Sequence, residues 1–198
     1  MTKQKTLTVE SLTDDNAVRL ACTGNTEAFS YLYEQNVKRI YNYIYYRIGS
    51  GADAEDLTAR VFHRAFAHIN KYVEKGVPFT AWLYRIAHNL TANWYRDNNR
   101  RREVSLDDHF DLPHHGELPE RTMEQNQEKE LLLKAIRRLP ADRQELILLK
   151  FLEDLSNGQI AVIMGRTEGA IKSLYHRSLI SLREELKQIS GIDNTSNY

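Results

Sequence analysis

The stretch Leu155–Arg183, LSNGQIAVIMGRTEGAIKSLYHRSLISLR, reads as two helices meeting at a tight turn. Ser156 is placed to cap the first helix, with Gln159 three residues on to complete a capping box. Ile160, Ile163 and Met164 line one face of that short helix. Gly165 supplies the left-handed residue that ends it, because glycine has no Cβ to clash there. Thr167 is placed to cap a second helix, and Glu168 sits where the helix dipole favours an acid. In the second helix Ile171, Leu174, Tyr175, Leu179 and Leu182 fall on one side. Gly169, Lys172, Ser173, His176 and Arg177 fall on the other. An apolar inner face, a small residue at the tip and cations outward suit insertion in a major groove. The same pattern also fits an ordinary αα-hairpin with a solvated basic face, so the rest of the chain has to decide.

The chain of 198 residues has room for one medium domain or two small ones. Glycine and proline are scarce and apolar residues recur at helical spacing, which predicts an all-α protein. No apolar run approaches the ~18 residues that a membrane-spanning helix needs. The first residues, MTKQKTLTVESLTDDN, lack the apolar centre of a signal peptide, and the chain reads as cytoplasmic. The single cysteine, Cys22, excludes an intramolecular disulfide and most cysteine-based zinc sites.

A net charge of zero hides two opposed blocks. Five arginines against one aspartate between Arg85 and Arg102 give +4; seven acids against one arginine between Glu103 and Glu124 give −6. A basic block followed by an acidic one predicts a polyanion-binding surface and a tethered acidic segment, against the plainer reading of two solvated faces.

Along the chain, residues 1–12 form a tail. Asp14 or Asp15 is expected to cap a helix that ends at Gly24–Asn25. A second helix runs from about Thr26 to Gly49, and its many tyrosines (Tyr31, Tyr33, Tyr41, Tyr43, Tyr45, Tyr46) read as a core and its rim, with hydroxyls reaching water. Asp53 is expected to cap a third helix, DAEDLTARVFHRAFAHI over 53–69. Its apolar residues occupy too wide an arc for one seam, as suits a helix that offers part of its surface to a partner or is buried outright. Thr80 is expected to cap a fourth helix, PFTAWLYRIAHNLTANWYRDNNRRR. There Trp82, Ile86, Leu90 and Trp94 line an inner arc, while Arg85, Asn89, Asn93 and Arg96 gather on another. The stretch 103–126, rich in acid and proline, reads as a flexible linker. Its His109, His114 and His115 match no closed zinc spacing, and ordering a loop costs entropy, so no metal or cofactor is expected. Helices return from Gln127: Leu131, Leu132, Ala135, Ile136 and Leu139 form one stripe. Asp142 caps the next helix, with Leu146, Ile147, Leu149 and Phe151 inside.

Several of these stretches carry a resemblance. GRTEGAIKSLYHR followed by SLREEL resembles the promoter-reading C-terminal domain of sigma-70 family factors, especially the extracytoplasmic-function (ECF) group; RRLPADRQELILLKFLEDLS is similar to the lead-in of that domain. DAEDLTARVF resembles the segment that docks on the clamp coiled coil of core RNA polymerase. The fourth helix resembles the segment that reads and melts the −10 element. Phe79, Trp82-Leu83, Ile86-Ala87, Asn89 and Arg100–Arg102 match its pattern, whereas Asn93 stands where many relatives carry an acid. The resemblance spans about 14–102 and 128–187.

It implies two small helical domains, 13–102 and 127–187, joined by the acidic linker 103–126 and followed by a tail at 188–198. It also implies a sigma factor without catalysis of its own. Asp53, Glu55, Asp56, Leu57 and Phe62 would bind polymerase. Lys75, Phe79, Trp82, Arg85, Asn89 and Arg96 would engage the −10 region, with a flipped base held around Lys75–Thr80; core packing is the competing role for Trp82 and Trp94. Lys172, Ser173, His176 and Arg177 would read the −35 region, with Arg166 and Thr167 on phosphates. The chemistry suits melting: aromatic faces hold unstacked bases at about 1–3 kcal/mol each, and each neutralised phosphate adds roughly 0.9 to the salt slope. The implied partners are core RNA polymerase (clamp coiled coil and flap), promoter DNA and an anti-sigma factor, with no membrane insertion. A regulator that binds DNA alone is the first competitor. A hydrolase built on the scattered histidines and acids is the second, but no Ser-His-Asp, metal or phosphate-loop constellation supports it.

Overall fold

The computed structural model describes residues 13–72, 77–99 and 123–190, without the side chains of Asn99 and of 123–129. Among them lie eight α-helices and no strand: α1 (Asp14–Cys22), α2 (Thr26–Ile48), α3 (Gly51–His68), α4 (Phe79–Asn99), α5 (Met123–Arg138), α6 (Ala141–Phe151), α7 (Asn157–Met164) and α8 (Glu168–Ser190). A 3-10 turn, Ile69–Lys71, follows α3.

Local chemistry explains the helix ends. Asn25 caps α2 by accepting from the Ala28 amide at 2.8 Å, and Gly49 closes α2 at φ +78°. Several starts lie ahead of the expected caps. Thr13 takes the cap position of α1, without a side-chain cap bond, and Ser50 caps α3 by accepting from the Asp53 amide at 3.3 Å. Helix α4 starts at Phe79 rather than after Thr80, and α6 at Ala141 behind Pro140 rather than after Asp142. The acids Asp14, Asp15, Asp53 and Asp142 therefore sit in first turns, where the dipole favours them as much as a cap position would. Helix α5 begins at Met123, inside the stretch expected as linker. MEQNQEKE consists mostly of good helix formers but has no apolar stripe to announce a helix.

Helices α1 to α4 pack around Leu32, Ile40, Ile44, Leu57, Val61, Leu83 and Leu90, all buried. Helices α5 to α8 pack around Ala135, Leu146, Leu149, Ile160, Ile171 and Leu174. On α8 the buried row is Ile171, Leu174, Ser178 and Leu182; Leu179, expected inside, is exposed. Steps of three, four and four keep that row on one line, and Leu179 lies one position past it. Phe151, also expected inside, is 60% exposed at the end of α6, while Leu148 is buried.

The two halves touch. Helix α7 packs on α4, and α6 and α5 pack on α2. At the seam the Tyr43 hydroxyl does not reach water: it is fully buried and donates to Glu145 Oε1 at 2.6 Å.

Candidate nucleic-acid and polymerase interface

The helix-turn-helix forms as its residues dictate. Ser156 Oγ accepts from the Gln159 amide at 3.2 Å, and the Ser156 amide donates to Gln159 Oε1 at 2.8 Å, completing the capping box. Gly165 ends α7 at φ +64°, a left-handed angle that suits glycine. Thr167 Oγ1 then accepts from the Ala170 amide at 3.2 Å to start α8. This geometry leaves Lys172, Ser173, His176 and Arg177 exposed on one face of α8. Lys172 pairs with Glu168 at 3.0 Å, and Arg177 donates to its own helix at Ser173 O. Arg166 is exposed in the turn and held by Asp142 at 3.3 Å. Both ion pairs are solvated and worth little, so a phosphate can displace them.

On α4, Arg85, Asn89 and Arg96 are exposed and share an arc, and Arg96 donates to Asn93 Oδ1 at 3.0 Å. The other expected −10 residues divide differently. Phe79 is buried, its ring edge-on to Tyr72 at 5.7 Å, and Trp82 is half-buried 5.6 Å from Phe79. These rings wall the N-terminal end of α4 rather than stand free, and beside them the Tyr72 hydroxyl donates to Val77 O at 3.0 Å. Trp94 is likewise half-buried, against Tyr95. Lys75 lies outside the described residues.

The polymerase-facing set is also split. Glu55 and Asp56 are exposed on α3 and Asp53 partly so. Leu57 and Phe62 are core residues, which corrects their expected place on the contact surface. Their row points inward because α3 packs on both α2 and α4. The apolar surface belongs instead to Phe66, 51% exposed against Phe29, and to Tyr33, edge-on to Phe62 at 4.8 Å. A groove of about 490 Å³ beside them is lined by Tyr33, Val37, Tyr41, Glu55 and Thr58 among others.

A third cluster was missed by the sequence reading. Glu145 of α6, 2% exposed, meets three residues of the N-terminal half: Arg47 at 3.2 Å, Tyr43 at 2.6 Å and His88 Nδ1 at 2.6 Å. The Arg47 guanidinium also donates to the Tyr43 oxygen at 2.8 Å. Burial alone would push the Glu145 carboxyl up; Arg47, then His88 and Tyr43, outweigh it and hold the carboxyl below its ordinary range. Arg39 of α2 grips Glu153 with two bonds, at 2.8 and 2.6 Å, and Gln144 donates to Tyr46 O at 3.3 Å. A glutamate inside an apolar helix was the available signal, but nothing local says what it meets.

Among the described residues no group of three or more His, Cys, Asp or Glu could hold a metal, and no helix is long and apolar enough to cross a membrane.

Comparison with known proteins matches the two halves separately. Residues 32–101 match the family model for sigma-70 region 2, and residues 129–182 match that for sigma-70 region 4. The ECF RNA polymerase sigma factor BldN of Streptomyces coelicolor is 39% identical over 165 residues, covering 83% of this chain and 62% of BldN. SigW of Bacillus subtilis, also an ECF RNA polymerase sigma factor, is 28% identical over 174 residues, covering 84% of this chain and 92% of SigW. Thus the chain spans less than two thirds of BldN but nearly all of SigW. The structure of the sigma factor RpoE with the anti-sigma factor NepR from Bartonella quintana superposes with a TM-score of 0.64, at 23% identity over 84% of this chain and 98% of that one, and so shares the fold. With region 2 falling on α2–α4, region 4 on α5–α8 and ECF factors as relatives along both, the chain belongs to the sigma-70 family, in its extracytoplasmic-function group.

Proposed function

We propose that this chain acts as a sigma subunit in the cytoplasm: it binds core RNA polymerase, directs it to promoters of one regulon and helps to melt them, with no chemistry of its own. The observation that carries the reading is two separate basic, exposed helix faces in one chain, Arg85, Asn89 and Arg96 on α4 and Lys172, Ser173, His176 and Arg177 on α8. A regulator that binds DNA alone has use for the second face but not for the first together with the acidic surface of Asp53, Glu55 and Asp56.

In this reading α8 enters the major groove at the −35 element while Arg166 and Thr167 hold phosphates. The α4 face takes the −10 strand, and Trp82 with Phe79 walls the site of a displaced base. Polymerase docks on α3 through Asp53, Glu55 and Asp56 and the adjoining Tyr33–Phe66 surface. Leu57 and Phe62 support that surface from beneath. An anti-sigma factor that covers apolar surface on both halves is the expected negative regulator.

Run-off transcription with core RNA polymerase and a pool of genomic promoter fragments tests the proposal. Discrete transcripts that disappear without the protein support it. Absence of transcripts together with failure to capture core polymerase would overturn it in favour of the stand-alone regulator.

A further inference from the structure

We infer that Asn93 is a positioning residue for the −10 strand: its side-chain amide holds the Arg96 guanidinium in line with Arg85 and Asn89 without cancelling its charge. The inference rests on the sigma reading for the identity of the strand. It adds to that reading a residue that acts through Arg96.

Helix geometry sets the arrangement. Arg85, Asn89 and Arg96 fall within about 40° of one another around α4, and Asn93 lies about 40° beyond Asn89, on the shoulder toward Ile86 and Leu90. Asn93 is accordingly half-buried, while Arg96 is exposed. A long side chain in the open loses rotamer freedom when it settles on a phosphate, and that loss opposes binding. Arg96 Nη2 donates to Asn93 Oδ1 at 3.0 Å, one turn back along the helix. The bond ties the guanidinium to a shorter, half-buried side chain, so part of the ordering is in place before DNA arrives.

The kind of partner matters as much as its place. Arg96 also faces Asp97, but at 4.0 Å and with both side chains largely exposed, a pair that solvent screens. An amide oxygen accepts the hydrogen bond and carries no net charge, so the guanidinium keeps its pull on a phosphate. A carboxylate at the same 3.0 Å would form a charge-assisted bond, roughly twice as strong, and would set Arg96 between two acids. The block from Arg85 to Arg102 would then hold five arginines against two aspartates, +3 in place of +4. A phosphate would have to displace the carboxylate before it could bind. Asn93 stands where the pattern this helix resembles often carries such an acid, so the firmer hold is a property of this chain.

Salt titration of the full chain on a short fluorescein-labelled single strand of mixed sequence tests the inference. Phosphate contacts carry no sequence information, so the probe needs no promoter. Arg96→Ala should lower the salt slope by about 0.7, the share of one phosphate on a single strand. Asn93→Asp should lower it by up to ~0.7 and weaken binding roughly fivefold at about 50 mM salt. Asn93→Ala keeps the charge but frees the side chain, so affinity should fall roughly threefold at an unchanged slope. In an Arg96→Ala background, Asn93→Ala should have no further effect. Circular dichroism checks that each variant is folded; should Asn93→Asp fail to fold, the alanine cycle decides alone. Unchanged binding in folded Asn93→Asp, or a loss on Asn93→Ala that persists in full without Arg96, would overturn the positioning role. If Arg96→Ala changes nothing, or the wild type does not hold the strand, the DNA face of α4 falls and the role of Asn93 with it. Failure to capture core polymerase falls on the sigma reading alone, and the titration still decides whether Asn93 steers Arg96.

Discussion

The helix-turn-helix and the seam between the halves are both held by hydrogen bonds to named side chains, yet they are built on different principles. In the turn each bond is local: Ser156 to Gln159 and Thr167 to Ala170 are three residues apart. Every such bond satisfies one orphan amide and leaves the others untouched, so losses there are small and independent. At the seam one carboxylate serves three partners, buried on all sides, so its loss leaves Arg47 without its counter-charge and takes a partner from Tyr43 and His88 at once. Caps make a reading head that keeps its shape. A shared buried carboxylate makes a joint whose contacts stand or fall together.

The largest effect expected is at the joint. Glu145→Ala should cost closure about 3–5 kcal/mol, the usual result of leaving a buried charge unpaired. Both tryptophans lie on α4, so tryptophan fluorescence follows the N-terminal half while circular dichroism follows both. Their urea transitions should coincide in the wild type and part in the variant; coincident transitions in both would make the seam incidental.

In the turn, Gly165→Ala should cost roughly 1–2 kcal/mol because its φ of +64° crowds a Cβ. Ser156→Ala should cost about 1 kcal/mol. The two should lower the unfolding midpoint of the C-terminal half additively, without changing the scattering radius of the folded protein. An expanded radius in either variant would erase the distinction between head and joint.

Acid should act on the joint. Arg47 and Tyr43 on α2 and His88 on α4 face the Glu145 carboxyl and hold it below its ordinary range in the closed form. Once open, it returns toward about 4.3. Its contribution to closure is therefore complete above that value and is lost as pH falls through the depressed one. Scattering across this window should show opening in the wild type. Glu145→Gln should show no such pH step.

The smallest effect should appear on α8. Lys172→Ala and Arg177→Ala should each lower the salt slope of promoter binding by roughly 0.9, with polymerase binding unchanged. Equal loss of both activities in a folded variant would contradict the separation of the two surfaces.

Legibility followed the same division. The capping box, Gly165 and the outward set on α8 were readable because a helix repeats every 3.6 residues and caps act within one turn. Leu57 and Phe62 were misplaced because a wide apolar arc does not say which part of it a neighbouring helix covers. Phe66, on the same arc, was left outside. The start of α5 was misplaced for the opposite reason: a polar helix has no apolar stripe to announce it.

The sequence by itself determined the eight-helix order, the turn between α7 and α8, the two exposed basic faces and, through its motifs, the family. Only the tertiary structure decided that the halves close on each other, that Tyr43 is buried at their seam and that Glu145 is its centre. Propensity, capping and periodicity act over a few residues, whereas Glu145 meets partners 57, 98 and 102 positions away. A charge can be seen in a sequence, but the charge that answers it across a fold is chosen by packing.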